Sequence, residues 1–166
     1  SITVTAMAPS KTFNIAGLYT SAVIIPDKSL RDKFIKTINR LGAEAKNLFG
    51  ITALEAAYTH GEEWLDQLLP YLEGNLDFLV DYFNNRIPNI KVSKPQGTYL
   101  AWLDCRELSM DQKALVDFFI YKAGVGLNDG SAFGAGGEGF MRLNAACPRS
   151  LLEEGLKRIE NAVRII

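Results

Sequence analysis

Residues 8–18 read Ala8-Pro9-Ser10-Lys11-Thr12-Phe13-Asn14-Ile15-Ala16-Gly17-Leu18. Before this stretch, apolar and β-branched residues alternate over residues 1–7, which predicts a strand. Residues 18–25 predict a second strand that ends at Pro26. A lysine in a loop between two buried strands is a candidate reactive amine, because a partly desolvated site lowers a lysine pKa and the neutral amine attacks carbonyls.

The amino-acid composition limits the classes of protein to which this chain can belong. The 166 residues are 48% hydrophobic and 22% charged, which is typical of a globular domain with a sizeable core. The chain has 18 basic and 19 acidic residues, so we expect neither a nucleic acid nor a membrane as a partner. We interpret Cys105 and Cys147 as reduced, because one pair in a chain of this size is not a disulfide framework.

The first half of the chain predicts helices after the two strands. Apolar residues at three- and four-residue steps predict an amphipathic helix from about residue 28 to Gly42. Residues 43–60 predict a second helix, which Gly61 ends. From Glu62 an apolar stripe continues through Pro70 to about residue 86, which predicts a long helix with a kink near the proline.

The second half predicts a mixed αβ unit. We expect strands at residues 90–92, 98–103, 125–127 and 140–146. A capping box of Ser109 and Gln112 is expected to open a helix that ends near Lys122, and a box of Ser150 and Glu153 a final helix. Residues 134–139 have the spacing G-x-G-x-x-G, but a strand follows them, so we favour a flexible loop beside an active site over a Rossmann turn.

Two charged or titratable residues need separate interpretation. Arg142 lies in an apolar strand, where a charge is costly unless it is paired. Either it forms a structural ion pair, or its guanidinium binds the α-carboxylate of an amino acid through two parallel hydrogen bonds. His60 is the single histidine, at a predicted helix end, and we predict no metal site around it.

Residues 10–18 resemble the cofactor-lysine segment of fold-type I enzymes that use pyridoxal 5′-phosphate. Within the class I/II aminotransferase group they are most similar to the MalY/PatB type, the cystathionine β-lyases or cysteine-S-conjugate β-lyases. The resemblance covers essentially the whole chain, through the segments Ala56-Ala57-Tyr58, Trp64-Leu65-Asp66, residues 98–104 and residues 142–150.

The resemblance implies an α/β fold that is α+β in its C-terminal part. Residues 1–61 would be the tail of the large cofactor domain, residues 62–88 a connecting helix, and residues 89–166 the small C-terminal domain. Enzymes of this type are more than twice as long, so the chain is expected to be a C-terminal portion that alone binds the cofactor poorly and turns over little. The complete enzyme would be a cytoplasmic homodimer.

The resemblance also implies a function and its residues. Lys11 would carry pyridoxal 5′-phosphate as a Schiff base and remove the Cα proton, Ser10 would donate to the cofactor phosphate, and Arg142 would bind the substrate carboxylate, with Tyr99 as a further substrate contact. Tyr19 replaces an arginine that binds the phosphate in many aminotransferases. The implied reaction cleaves cystathionine or another cysteine S-conjugate to thiol, pyruvate and ammonia. An aminotransferase, or a non-catalytic interaction module built on the small domain, remain alternatives.

Overall fold

The computed structural model describes residues 2–43 and 47–166. Ser1 of the first predicted strand and residues 44–46 of the second predicted helix lie outside the described residues. The chain forms two compact units, Ser1–Leu68 and Leu69–Ile166. The predicted division into three parts at residues 61 and 88 stays a prediction about the domains of the complete enzyme.

The first unit begins with two short antiparallel strands, β1 (Thr5–Met7) and β2 (Ala22–Ile24). Both predicted strands are confirmed, but they are shorter than the patterns suggested. The predicted start of the second strand is instead a 3₁₀ turn at Ala16–Leu18, followed by Tyr19 in the left-handed region at φ 47°. A left-handed residue cannot continue a strand, so β2 begins three residues later.

Three helices follow, and side-chain caps mark where the first two begin. They are α1 (Lys28–Arg40), α2 (Leu48–His60) and α3 (Glu62–Arg86). The carboxylate of Asp27 accepts a hydrogen bond from the Leu30 amide at 2.7 Å, and Asn47 accepts one from the Gly50 amide at 3.2 Å. Such N-caps satisfy amides that have no partner within the helix. The long helix through Pro70 is confirmed, and the kink stays a prediction.

The first unit buries little apolar surface. In its described part the fully or nearly buried side chains are Pro9 and Ile25. Large apolar side chains on both strands and on all three helices are exposed; examples are Met7, Ile24, Phe34, Leu48, Phe49, Tyr58 and Trp64. Exposed apolar surface of this extent favours association with another surface.

The second unit is built on an antiparallel sheet with the strand order β3-β4-β6-β5. The strands are β3 (Lys91–Val92), β4 (Leu100–Asp104), β5 (Asn128–Asp129) and β6 (Phe140–Asn144). Side chains alternate across a strand, so Ala101 and Leu103 are buried with Met141 and Leu143 of β6, while Trp102 and its register partner Arg142 lie on the opposite face.

Helices cover the buried face of this sheet. The core is formed by α3, by α4 (Gln112–Asp117) with the π-helical turn Phe118–Lys122 that extends it, and by α5 (Arg149–Val163). Its most deeply buried side chains are Leu79, Phe83, Ile87, Ile90, Leu115, Phe119, Leu156 and Ile159. Helices on an antiparallel sheet give the α+β arrangement expected for the C-terminal part.

Both capping boxes predicted in the second unit are wrong. Ser109 has φ 54° and ends the 3₁₀ turn Arg106–Leu108, so the cap of α4 is Asp111, which accepts from the Ala114 amide at 2.8 Å. The N-cap of α5 is Pro148, and no side chain caps it. Ser150 already lies in the first turn of α5, where its hydroxyl cannot take the capping position.

The predicted strand at residues 125–127 is also wrong. The edge strand is β5, whose Asn128 and Asp129 pair with Arg142 and Met141. The backbone amide of Val125 bonds instead to the Phe119 carbonyl at 2.9 Å, which closes the π-helical turn. The apolar residues at 125 and 127 therefore pack partly against the core without joining the sheet.

Candidate active site

Lys11 lies in a tight turn between β1 and the 3₁₀ turn that precedes β2. The Phe13 amide bonds to the Pro9 carbonyl at 2.9 Å, the Ile15 amide bonds to the Ser10 carbonyl at 3.1 Å, and Asn14 adopts a left-handed φ of 54°. The Lys11 side chain is exposed, and its amine makes no hydrogen bond or ion pair with residues 2–43 or 47–166. Within the described part of the chain, this turn thus presents a primary amine without a partner.

An aromatic cluster holds this turn in place. The Phe13 ring lies 5.7 Å from the Tyr58 ring at 76° and 6.1 Å from the Trp64 ring at 30°. Gly61 provides the space for it, because a Cβ at that position would lie 2.5 Å from Phe13 Cε1. From the sequence, Gly61 was interpreted only as the end of a helix. Its small size also makes room for the ring of Phe13, which is two residues from Lys11.

Ser10 is half-buried next to the lysine. Its hydroxyl makes no hydrogen bond with the part of the chain that the structure describes. It is therefore free to donate to an anionic group, and the phosphate role stays a prediction. Tyr19, at the position where many aminotransferases carry an arginine, is almost fully exposed.

Arg142 is half-buried on β6, and its guanidinium has only uncharged partners. Its Nη2 donates to Asn128 Oδ1 at 3.1 Å, and its Cζ lies 4.3 Å from the centroid of the Phe133 ring. Its Nε is buried without a hydrogen-bond partner. No carboxylate among the described residues pairs with it, so the structural ion pair that the sequence left open is not found there.

This arrangement leaves the arginine available to an anion. An unsatisfied buried donor costs a fold roughly 1–3 kcal/mol, and a cation attracted to an aromatic face keeps its full charge. A planar guanidinium in this state matches the two oxygens of a carboxylate. The sequence indicated Arg142 by its charge in an apolar strand, but it gave no sign of Asn128, which lies on β5, or of Phe133, which ends the 3₁₀ turn Gly130–Phe133.

Tyr99 precedes β4 and is half-buried. Its carbonyl accepts a hydrogen bond from the Ala145 amide at 2.9 Å, which joins the start of β4 to the end of β6. Its hydroxyl has no hydrogen-bond partner among residues 2–43 and 47–166. A substrate contact from Tyr99 stays a prediction. Ser10 and Lys11 belong to the first unit, and Tyr99 and Arg142 to the second.

A partly buried polar network fixes the loop that carries the partners of Arg142. Asp129 Oδ1 accepts from the amide and hydroxyl of Ser131 at 2.8 and 2.7 Å and from Gln112 Nε2 at 2.6 Å. Gln112 Oε1 accepts from the Gly139 amide at 2.6 Å. The Ser131 hydroxyl lowers the pKa of Asp129 below its usual value, so the ionised carboxylate is the favoured acceptor.

A second buried network fixes the chain after β6. The fully buried Asn75 of α3 donates to the carbonyls of Ala145 and Cys147 at 3.0 and 2.9 Å and accepts from Arg149 Nε at 2.8 Å. The Arg149 guanidinium also stacks on Phe78, with its Cζ 4.5 Å from the ring centroid. The sequence interpretation missed Asn75, although an amide one helical turn from Leu79 on an apolar stripe is the signal that could have found it.

The remaining motifs have local roles. Residues 134–139 form turns that lead into β6, with Gly134, Gly136 and Gly139 at positive φ, so the Rossmann interpretation is excluded because a strand follows. Flexibility of this loop stays a prediction. His60 is the exposed last residue of α2, as predicted. Both cysteines are free thiols, and burial raises the pKa of Cys105 to about 12.

The described residues lack two kinds of feature. They contain no group of three or more His, Cys, Asp or Glu side chains placed to hold a metal ion. Among the same residues, no helix combines the length and apolar character needed to cross a bilayer.

Comparison with known proteins identifies relatives over nearly the whole chain. The family model described as aminotransferase class I and II matches residues 3–159. The chain is 45% identical over 162 residues to the cystathionine β-lyase PatB of Bacillus subtilis, covering 98% of this chain and 42% of that protein. It is 41% identical over 158 residues to the protein MalY of Escherichia coli, covering 95% and 40%.

A solved structure matches the same region. Cystalysin from Treponema denticola, which contains a pyridoxal 5′-phosphate cofactor, superposes with a TM-score of 0.92 and 38% identity, covering 98% of this chain and 41% of that one. The chain therefore spans about two fifths of the length of the relatives it matches.

Proposed function

Because the chain belongs to the family of class I and II aminotransferases, we propose that it supplies the cofactor lysine and the substrate arginine of a carbon–sulfur β-lyase that depends on pyridoxal 5′-phosphate. The lyase branch is proposed because PatB, named a cystathionine β-lyase, is 45% identical over 98% of the chain. The observation that carries the proposal is Arg142, a half-buried guanidinium whose partners among residues 2–43 and 47–166 are all uncharged.

The residues present fit the cofactor. Lys11 offers a primary amine that has no partner in the described chain, and Ser10 offers a free hydroxyl beside it. Lys11 would hold the cofactor through its aldehyde, and Ser10 would donate to its phosphate. When bound, pyridoxal phosphate supplies an electron sink for the charge that develops at the amino-acid Cα.

The chain's own side chains would bind the substrate and move one proton. Arg142 would hold the α-carboxylate through paired hydrogen bonds and so fix the orientation of the Cα–H bond. The Lys11 amine would then act as the general base that takes the Cα proton. The Cβ–S bond breaks with the electron pair leaving on sulfur, and with one water the products are a thiol, pyruvate and ammonia.

An aminotransferase is the second candidate, because the matching family model is described by that activity. Both reactions need the same lysine and arginine, and they differ in what happens after proton removal. A lyase releases pyruvate and thiol from a cysteine S-conjugate without a keto-acid acceptor. An aminotransferase passes the amino group to an added keto acid and leaves the Cβ–S bond intact.

We further propose that the complete enzyme is a cytoplasmic homodimer. Two observations support this: both cysteines are free thiols, which is typical of a reducing compartment, and the first unit exposes apolar side chains that a partner surface would cover.

The cofactor role of Lys11 is tested by chemical trapping. The 166-residue chain is incubated with pyridoxal phosphate, reduced with borohydride and digested, and the modified lysine is located by mass spectrometry. We expect modification concentrated on Lys11 and lost in Lys11→Ala, while Lys36→Ala, an exposed lysine of α1, leaves it unchanged. Equal modification of many lysines would contradict the assignment.

Turnover is measured on the same samples. We expect little release of pyruvate from cystathionine, because the chain spans about 42% of the length of PatB. Robust release by the 166 residues alone would show that no further part of such an enzyme is required.

A further inference from the structure

Arg142 differs in the kind of partner it has from Arg106, another arginine that stacks on an aromatic ring. Arg106, which stacks on Phe140 with its Cζ 4.9 Å from the ring centroid, makes a two-point ion pair with Asp104 at 2.9 and 2.7 Å. Arg142 has an amide oxygen and an aromatic face in the corresponding places. The carboxylate of Asp104 neutralises the charge of Arg106, whereas no carboxylate among the described residues neutralises that of Arg142.

Of the two partners of Arg142, Asn128 is the one that orients its guanidinium. A cation above an aromatic ring slides and rotates at little cost, whereas a hydrogen bond to Nη2 fixes the plane of the guanidinium. The bond from Nη2 to Asn128 Oδ1 is 3.1 Å long, and the two residues are register partners on β5 and β6.

The backbone around Asn128 is held firmly. Asp129, the next residue, is tied to Ser131 and Gln112 by three hydrogen bonds. Gly130 packs so closely against residues 137–140 of the same chain that a Cβ there would overlap the carbonyl oxygens of Gly137 and Phe140. The Asn128 side chain is exposed, but the strand that carries it is held in place, so its amide oxygen stands at a defined position beside Arg142.

We propose that Asn128 is a positioning residue for Arg142, which orients the guanidinium while leaving its full positive charge to the carboxylate of a ligand. The inference rests on the proposed function of Arg142 and adds the reason why its internal partner is an amide. An aspartate has the same shape and would orient the guanidinium equally well, but its charge would compete with the ligand.

The substitution Asn128→Asp therefore separates orientation from charge. The new carboxylate would pair with Arg142 directly, so the melting temperature should equal or exceed that of the unsubstituted chain. Affinity for a carboxylate should fall about tenfold or more, because a hydrogen-bonded ion pair replaces a neutral contact. If Asn128 had only a structural role, Asn128→Asp would not preserve or raise the melting temperature and at the same time lower the affinity for a carboxylate.

Binding is measured on the full 166-residue chain labelled with ¹⁵N. The probe is sodium propionate, titrated at constant ionic strength against sodium chloride, and the signal is the Arg142 Nε–H resonance, assigned by its loss in Arg142→Lys. We expect a saturable shift in the unsubstituted chain and a binding curve at least about tenfold weaker in Asn128→Asp. In Asn128→Ala the Arg142 side chain should become more mobile, because the acceptor that orients it is gone. The ligand-free Nε–H resonance reports this mobility.

Asn144→Asp is the matched control. It places the same charge two residues away on β6, about 7 Å along the strand, and it keeps the acceptor that bonds the Ala146 amide at 2.8 Å. A charge at that distance in water changes affinity by about threefold at most. The inference is overturned if Asn128→Asp binds propionate as well as the unsubstituted chain, or if Asn144→Asp weakens binding equally.

Failure of the proposed function has a different signature. If the unsubstituted chain shows no propionate-specific shift, the carboxylate role of Arg142 fails. The positioning role is then decided by the ligand-free resonance alone. An ordered Arg142 signal that becomes mobile in Asn128→Ala supports it, and an equally ordered signal in both chains overturns it.

Discussion

Replacing Asn75 by alanine should destabilise the second unit more than most single substitutions. The side chain is fully buried and makes three hydrogen bonds, two to the carbonyls of Ala145 and Cys147 and one from the guanidinium of Arg149. Alanine keeps the helix but leaves two carbonyl oxygens and one charged donor without their partner. Groups orphaned in this way lose their protein partners without regaining water.

The magnitude follows from these three contacts. Each neutral bond contributes about 1 kcal/mol, and a bond to a charged group about 1.5–3 kcal/mol, so the free energy of unfolding should fall by roughly 3–5 kcal/mol. A domain of this size has a total of about 5–15 kcal/mol. With a urea m-value of about 2 kcal/mol/M, the midpoint should fall by about 1.5–2.5 M.

The assay is equilibrium unfolding in urea, followed by tryptophan fluorescence. Trp102 lies on the sheet of the second unit and Trp64 lies in the first, so the measurement uses a Trp64→Phe background. The matched control is Asn85→Ala, another asparagine of α3, whose exposed amide donates only to the Asp81 carbonyl at 2.8 Å. It should change the free energy by about 0.5 kcal/mol or less.

Two results would refute this reasoning. One is a loss below about 1 kcal/mol for Asn75→Ala, which would mean that the three bonds are replaced on relaxation. The other is an equal loss for Asn85→Ala, which would place the effect in helix propensity and not in the buried network.

Two further predictions concern packing and titration. Gly61→Ala should destabilise the first unit by about 1–3 kcal/mol and reduce its near-ultraviolet circular dichroism, because the Cβ would collide with the Ala57 carbonyl oxygen and the Phe13 ring. Gly17→Ala, with no atom within 4 Å of its Cβ, should do neither. Burial and the hydrogen bond to Glu160 raise the pKa of Tyr82 to about 12. The stability that the Tyr82 hydroxyl contributes should be fully present below its ordinary pKa of 10.0 and lost as pH rises toward 12. The melting temperature should therefore fall less over that pH range in Tyr82→Phe than in the unsubstituted chain. An equal fall in both would contradict this.

The amphipathic helices could be predicted because their signal is local. Apolar steps of three and four residues gave α1, α3 and α5 with ends close to those observed. Cap positions could not be predicted in the same way. Ser109 and Asp111 both have side chains suited to an N-cap, and the choice depended on the left-handed turn at Ser109, which ends the preceding 3₁₀ turn.

The candidate site was found in part from the sequence. Arg142 stood out as a charge in an apolar strand, and Lys11 gained its role from resemblance, with its local pattern giving only a loop lysine. Asn75 and Gln112 were missed as organising residues, because they bond to groups 17 to 74 positions away. Partners at such separations are selected by packing and not by local pattern.

The sequence by itself determined which face of the second sheet each side chain takes. Strict alternation in β4 and β6 sends Ala101 and Leu103 into the core and leaves Arg142 on the other face. Only the tertiary structure decided what surrounds the guanidinium there. The pairing of β5 with β6 brings the uncharged Asn128 to Arg142, and strand pairing depends on contacts between distant segments that no local preference encodes.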